Sequence, residues 1–313
     1  MLRFIGRRLA AGVVLVFAIT TLAFLLLYLG SVNIARRLLG QTATHEQVTA
    51  KAAELGLDRP IWEQYTTWLG NALAGDLGRS WFSGQLVADG VTNRLMVTLS
   101  LVIGATVITA LVAVVLGVWA ALAGGWVDRT IQFLTVLGMA VPGFLIAVAL
   151  VLVLAINLGW FNATGYTSFS DDVLGWARSV ILPVVALAIG GASAVTQQIR
   201  GAVVDALQRD YVRTLRSRGL GTGSVVFKHV LRNAAGPALA VLNVQFVGML
   251  GGAVIVEQVF QMPGLGQLAV GATTQGDIPI VMGLVVATAV IVILVNLLID
   301  VAQGLLNPKV RLA

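Results

Sequence analysis

Apolar residues run through this 313-residue chain in long unbroken stretches, and the charged residues fall between them. Crossing a bilayer core takes about 20 apolar residues as a helix. Six stretches between consecutive charges reach that length: 9–35, 95–127, 130–170, 179–199, 233–256 and 278–299. They are continuously apolar, whereas a membrane barrel alternates apolar and polar residues in segments of about ten. Backbone groups in lipid must then be satisfied within each segment, which requires helices. The pattern predicts an all-α integral membrane protein with six transmembrane helices.

Composition agrees. The chain is 58% hydrophobic and 11% charged, with a mean hydropathy of +0.92, against about 25% charged residues in soluble domains. Arg3, Arg7 and Arg8 precede the first run as they would in a secretory signal. Its apolar part, 9–29, exceeds the roughly 7–15 residues of a signal h-region, so a retained first span is expected. The absence of cysteine excludes disulfides, Cys-based metal sites and thiol chemistry from this chain. The net charge of +6 follows the ends of the spans, which favours a membrane partner over nucleic acid.

With six spans both termini share one side. Of the 20 Lys and Arg residues, 13 then fall on the side of the termini and 7 on the other. The positive-inside rule puts the termini in the cytoplasm. The densest of these charges lie in 209–233, RDYVRTLRSRGLGTGSVVFKHVLRN, with seven basic side chains, His229 among them. Each Arg or Lys at mid-membrane costs about 2.5–3.5 kcal/mol, so this stretch lies at or beyond the surface. On a helix, Arg209, Arg213 and Arg216 form one stripe and Tyr211, Val212 and Leu215 the opposite side. Gly219, Gly221 and Gly223 interrupt it, and Ser224 is placed to cap a second helix running to Gly236-Pro237. Two readings fit: an interfacial helix held by anionic lipid, or a docking element for a cytoplasmic partner.

Some chemistries find no residues to carry them. A phosphate-cradling GxxxxGK[ST] loop needs a lysine after glycine, and Lys51, Lys228 and Lys309 follow Ala50, Phe227 and Pro308. Any ATP chemistry therefore belongs to another subunit. A secondary transporter would carry ionisable groups deep in its spans. Here Glu257, Asp300, Arg200 and Asp205 lie near span ends, and mid-span polarity is limited to groups such as Gln132, Asn243, Gln245 and Asn296. Those amides suit interhelical hydrogen bonding or solute contact. His45 and His229 belong to no nucleophile–base constellation.

About sixty residues separate the first two spans. Thr44-His45-Glu46-Gln47 has the capping-box pattern. Asp58-Arg59-Pro60 opens a second helix with Ile61, Tyr65, Trp68, Leu69 and Leu73 on one face, and Trp62 and Trp68 suit an interfacial belt. The expected organisation is a first span over 1–30, an extracytoplasmic segment over 31–93, a five-helix core over 94–306 with a cytoplasmic loop at about 206–233, and a tail over 307–313.

These residues resemble a family. Asp210-Tyr211-Val212-Arg213-Thr214 through Arg218-Gly219-Leu220, then His229-Val230-Leu231-Arg232-Asn233 and Pro237, is similar to the cytoplasmic signature loop of permease subunits of dipeptide/oligopeptide ABC importers. Further likenesses keep the family's order. They include MLRFIGRRL, Leu55-Gly56-Leu57-Asp58-Arg59-Pro60, Gly75-Asp76-Leu77-Gly78-Arg79-Ser80, Val127-Asp128-Arg129, Gly252 to Glu257, Pro263-Gly264-Leu265-Gly266 and Asn307-Pro308-Lys309-Val310-Arg311. The chain departs where the broader importer loop carries Glu-Ala-Ala, having Arg213-Thr214-Leu215. It also departs at Gly30-Ser31-Val32-Asn33 and at Met96. These departures bear on the solute more than on the fold.

The resemblance implies the type I ABC importer permease fold in a prokaryotic inner membrane. It also implies a working assembly of this chain with a second homologous permease, two cytoplasmic ATPase subunits that bind ATP and Mg²⁺, and an extracytoplasmic solute-binding protein. This chain itself would hold no cofactor or metal. The basic stretch becomes a coupling helix in which Tyr211, Arg213, Thr214, Arg216, Ser217, Arg218, Gly219 and Leu220 contact an ATPase. Asn243, Gln245 and Asn296 are candidates for the translocation path. Di- or oligopeptides are the implied solute, while nickel chelates, glutathione or haem travel on similar scaffolds. A secondary transporter is the competing class.

Overall fold

The computed structural model describes residues 2–29 and 34–306. The Gly30–Asn33 departure and the 307–313 tail lie outside the described residues. Among the described residues the elements are helices, with one isolated antiparallel bridge between Arg79 and Leu86. Helix α1 (Leu2–Leu29) is followed by three shorter helices, α2 (Ile34–Leu39), α3 (His45–Glu54) and α4 (Ile61–Leu73). The capping box is present: Thr44 Oγ1 accepts from Gln47 N, and Gln47 Oε1 accepts from Thr44 N at 3.0 Å. Pro60 precedes the first turn of α4, where its missing N–H costs nothing.

The remaining helices are α5 (Val87–Ala123), α6 (Gly125–Ala140), α7 (Gly143–Leu150), α8 (Val173–Leu207), α9 (Asp210–Ser217), α10 (Thr222–Ser224), α11 (Leu231–Val259), α12 (Leu265–Gln275) and α13 (Ile278–Leu306). Five helical stretches are long and apolar enough to cross a membrane: Ile5–Tyr28, Val87–Ala123, Val173–Leu207, Thr222–Val259 and Ile278–Leu306. They overrun the bounds set by counting between charges, because helices continue past the bilayer core with charged residues at their ends. Asp89 and Arg94, for example, lie inside α5.

The third expected span, 130–170, is not one helix. Helices α6 and α7 meet at 96°, and α7 runs on as wider π-helical turns over Val151–Asn157. The cause is local. A residue before proline is pushed out of the helical region, and Val141 is extended at φ −84°, ψ 121°. Pro142 then starts α7 without an N–H. Six spans result only if this bent pair counts as one.

Residues Val97–Pro263 form one compact unit, joined by residues from Val295 onward. Its axis is α8, whose apolar window is 67% buried where that of α1 is 17%. Helices α6, α7 and α11 pack on α8. Helix α5 approaches it through Gly117, where an added Cβ would lie 3.0 Å from the Thr196 carbonyl oxygen and 2.9 Å from Ile199 Cγ2. Such small-residue contacts replace the missing hydrophobic drive between helices in lipid.

Residues Gly6–Met96 and Gly264–Leu294 form the second unit. Within it Leu265, Ala272, Ile280 and Leu284 share a cluster with Val87 and Val91. Fully buried Phe24 stacks on Tyr28 (4.0 Å between ring centroids) and lies 5.2 Å from Tyr65 and 5.7 Å from Trp68. Tyr65 also shares a hydrogen bond with Thr21 at 2.6 Å. These contacts hold α4 against α1. Trp62 is exposed as expected, but Trp68 belongs to this aromatic cluster rather than to an interfacial belt. Leu73, expected on the packed face, is 81% exposed because the cluster ends before the last turn of α4.

The loop before α5 is fastened by one buried carboxylate. Asp277, between α12 and α13, accepts from the Ser80 hydroxyl and, at 3.2 Å, from the Trp81 N–H. Ser80 Oγ accepts in turn from Ser83 N at 2.9 Å and Phe82 N at 3.2 Å.

Two outcomes follow. Gly117→Leu overpacks α5 against α8 and should destabilise the purified chain by about 1–3 kcal/mol, lowering its melting temperature in detergent. Gly251→Leu, where a Cβ meets nothing within 4 Å, should leave it unchanged. Ser80→Ala removes one donor from buried Asp277, at a cost of about 1.5–3 kcal/mol, and should speed protease cleavage within 75–85 while cleavage elsewhere stays constant.

Candidate functional site

The expected amphipathic helix is α9. Val212 is 1% exposed and packs among Val203, Ala206, Val225, Val226 and Val230, with Tyr211, Leu215 and Leu220 against the same cluster. Arg213, Thr214, Arg216, Ser217 and Arg218 are exposed. The eight candidate residues are therefore split by the fold: five present a polar face, Tyr211 and Leu220 anchor it, and Gly219 ends it. Arg213 Nη1 lies 3.8 Å from Asp210 Oδ1 with both side chains exposed, a pairing that contributes little to stability. Most of the positive charge faces outward.

Gly219 closes α9 in a defined way. At φ 79° it donates its N–H to Arg216 O at 2.9 Å, and Leu220 N donates to Leu215 O at 3.3 Å. This is the Schellman arrangement, with glycine at the left-handed position and an apolar contact flanking it. A Cβ there would meet nothing within 4 Å, so backbone conformation, not a clash within the chain, demands glycine.

The second helix begins at Thr222, two residues before the expected Ser224 cap, with Gly221 preceding it and no side-chain cap. Val225–Val230 forms π-helical turns that lead into α11. Val225, Val226 and Val230 are fully buried, while Phe227, Lys228 and Arg232 are exposed. Asn233 Nδ2 donates to the Tyr211 hydroxyl at 3.2 Å and to His229 O at 3.1 Å. Arg232 Nε donates to Leu306 O at 3.2 Å, tying the start of α11 to the end of α13.

Sequence reasoning quoted Asp128 and Arg200 but did not pair them. Arg200 Nε and Nη2 donate to the two carboxylate oxygens of Asp128 at 2.7 and 2.5 Å. This bidentate bridge, of the fork geometry that suits arginine, links α8 to α6 about two turns before α8 ends. Seventy-two residues separate the partners, and no local pattern connects them.

The three path candidates separate. Asn243 and Gln245 are two apart on α11, so they point about 200° apart. The Asn243 and Asn296 carbonyl oxygens are buried with no hydrogen-bond partner among the described residues, so these oxygens make no interhelical bond there. Gln245 lines a cavity of about 370 Å³ with Pro142, Gly143, Gly190, Gly248 and Gly252. This cavity lies at the α6–α7 break. Gly143 and Phe144, in the first turn of α7, find no backbone acceptor for their N–H groups among the described residues. Non-helical backbone at membrane depth is tolerated where it is covered by protein or lines a cavity.

Comparison with known proteins places this arrangement. Residues 113–312 match the family of binding-protein-dependent transport system inner membrane components, and residues 1–102 match that family's N-terminal membrane component. A peptide transport system permease protein of Brucella abortus (strain 2308) is 36% identical over 312 residues, covering 99% of each chain. A glutathione transport system permease protein of Escherichia coli (strain K12) is 33% identical over 312 residues, again 99% of each. Among solved structures, an inward-facing form of the MetNI methionine ABC transporter aligns with TM-score 0.50 at 18% identity, over 71% of this chain and 96% of that one. Its likeness concerns the fold, the type I ABC importer permease architecture. The chain belongs to the binding-protein-dependent transport system inner membrane component family: it is a multi-pass inner-membrane permease subunit of an ABC importer.

Proposed function

We propose that this chain and a second homologous permease form the translocation path for di- or oligopeptides. An extracytoplasmic solute-binding protein delivers the solute, and two cytoplasmic ATPase subunits that bind ATP and Mg²⁺ drive its passage. The observation that carries the reading is α9: a short helix anchored by Val212 that turns Arg213, Arg216 and Arg218 outward, in a chain of a family whose members work with such ATPases. Positive-inside bias, 13 of 20 basic residues, supports a cytoplasmic α9. Peptide as the solute is supported by the Brucella relative's name. The glutathione permease relative supports a second reading of the same kind, since glutathione is itself a peptide-like, charged solute.

In this mechanism ATP binding closes the ATPases and their grooves carry α9 with them. The charged face of α9 sets docking orientation more than affinity. The movement passes into α8, with the Asp128–Arg200 bridge connecting it to α6, and α6 ends at the bend beside Gln245. The cavity at that bend offers the solute a lone side-chain amide, backbone N–H groups and a lining of apolar residues and glycines, the latter free of side chains. A discontinuous helix next to the transported solute is the arrangement transporters use repeatedly.

The double substitution Arg216→Glu with Gly219→Leu should lower solute-stimulated ATP hydrolysis of the assembled importer at least tenfold and leave capture by the binding protein intact. Unchanged coupling would count against docking through α9. Because the chain has no cysteine, Gln245→Cys introduces a unique thiol. In the assembled importer a membrane-impermeant thiol reagent should label it in one nucleotide state and not in the other, and saturating peptide should slow labelling several-fold. Equal labelling in all states would remove Gln245 from the path.

A further inference from the structure

A second cavity, of about 330 Å³, lies wholly within the unit formed by Gly6–Met96 and Gly264–Leu294. Five separate segments build it: the end of α1 at Tyr28, the turn between α3 and α4, the face of α4 carrying Gln64 and Trp68, the 76–81 loop, and the first turns of α13 at Pro279 and Met282. Its volume falls within the ~300–1,000 Å³ usual for small-molecule sites. Nothing in the coupling helix or the α6–α7 break involves it.

The lining is amphoteric. Arg59 and Arg79 contribute guanidinium groups, Glu54 and Asp76 carboxylates. Glu54 is engaged by Lys51 at 2.7 Å. Arg59, Arg79 and Asp76 form no ion pair among the described residues. Asp76 Oδ1 accepts from Gly78 N at 2.8 Å, and Arg79 Nη1 donates to Gly84 O at 3.2 Å. Both side chains are exposed, and these single bonds leave the second carboxylate oxygen and most guanidinium donors uncommitted. Tyr28, Trp68 and Trp81 supply aromatic walls. Within the wall, Gln64 Oε1 and Trp68 Nε1 are buried without hydrogen-bond partners among the described residues, and orphaned polar atoms of this kind mark places completed by another group.

The rim is also preorganised. The Ser80 and Trp81 bonds to Asp277 pin one side, and the Phe24–Tyr65–Trp68 cluster pins the other. Two guanidinium groups of the kind that bind a carboxylate in fork geometry, a carboxylate for an ammonium, and aromatic faces for an apolar side chain together describe one ligand class. We propose that this cavity binds the free zwitterionic form of a short peptide, as a solute site built mainly on the segment between α1 and α5. The proposal rests on the peptide reading above.

The test uses the assembled importer in lipid nanodiscs without the solute-binding protein, and the dipeptide Ala-Phe as probe, with binding followed by calorimetry. Ala-Phe should bind, and N-acetyl-Ala-Phe-amide, which lacks both charges, should bind at least tenfold more weakly. Arg59→Gln with Arg79→Gln should weaken Ala-Phe tenfold or more but leave Ala-Phe-amide unaffected. Asp76→Asn, which keeps the Oδ1 acceptor, should weaken Ala-Phe while sparing N-acetyl-Ala-Phe. No binding, equal binding of the doubly blocked peptide, or wild-type affinity in both variants would overturn the proposal. So would variants that lose stimulation by the binding protein while still binding Ala-Phe, because the cavity would then be a protein-docking surface. Uptake of labelled Ala-Phe by the complete importer in vesicles tests the peptide reading separately: absent uptake with intact, charge-dependent binding overturns that reading and not the cavity.

Discussion

A peptide group left unpaired in hydrocarbon costs several kcal/mol, and everything distinctive about this chain happens where its helices stop obeying that constraint. The long helices satisfy themselves and serve as scaffold. The break at Val141-Pro142 does not, and the structure answers it with a cavity lined by Gln245 and glycines of α8 and α11. At the opposite extreme, α9 carries a charge density that has no place in lipid, and its glycine ending completes its own last carbonyls.

Within the Val97–Pro263 unit these two irregularities are physically connected. Helix α8 is the most buried of the long helices, which makes it a stiff element. It delivers the chain to α9, and it is bolted to α6 by a two-pronged ion pair. Such a bridge resists both sliding and rotation, where a single hydrogen bond would resist neither. Thus the element that ends at the bend and the element that leads to α9 share one joint.

Much of this was legible in the sequence because it depends on local patterns. The apolar runs found the spans, the i, i+4 stripes found the two faces of α9, and Thr44 with Gln47 gave a cap that the structure realises. Apolar continuity across 130–170 takes no account of Pro142, where the structure breaks the helix. Hydropathy measures cost in lipid and is blind to direction. The Asp128–Arg200 and Ser80–Asp277 contacts join residues far apart in the chain, and no periodicity encodes such pairs. Trp68 shows the same limit: composition suits it equally to an interface or a packed cluster, and only the positions of Phe24 and Tyr65 decide.

The outward charge of α9 has a consequence for how the importer comes together. A newly inserted permease, on the docking assignment, exposes Arg213, Arg216 and Arg218 beside an anionic leaflet, which attracts each nearby cation by about 1 kcal/mol. The helix therefore has an occupant before any ATPase arrives. Assembly becomes an exchange of one set of anions for another, and an ATPase groove must outbid the lipid with shape as well as charge. Salt would weaken both competitors together, so the preference between them is set by the uncharged anchors, Val212 and the glycine turn, that give α9 its outline.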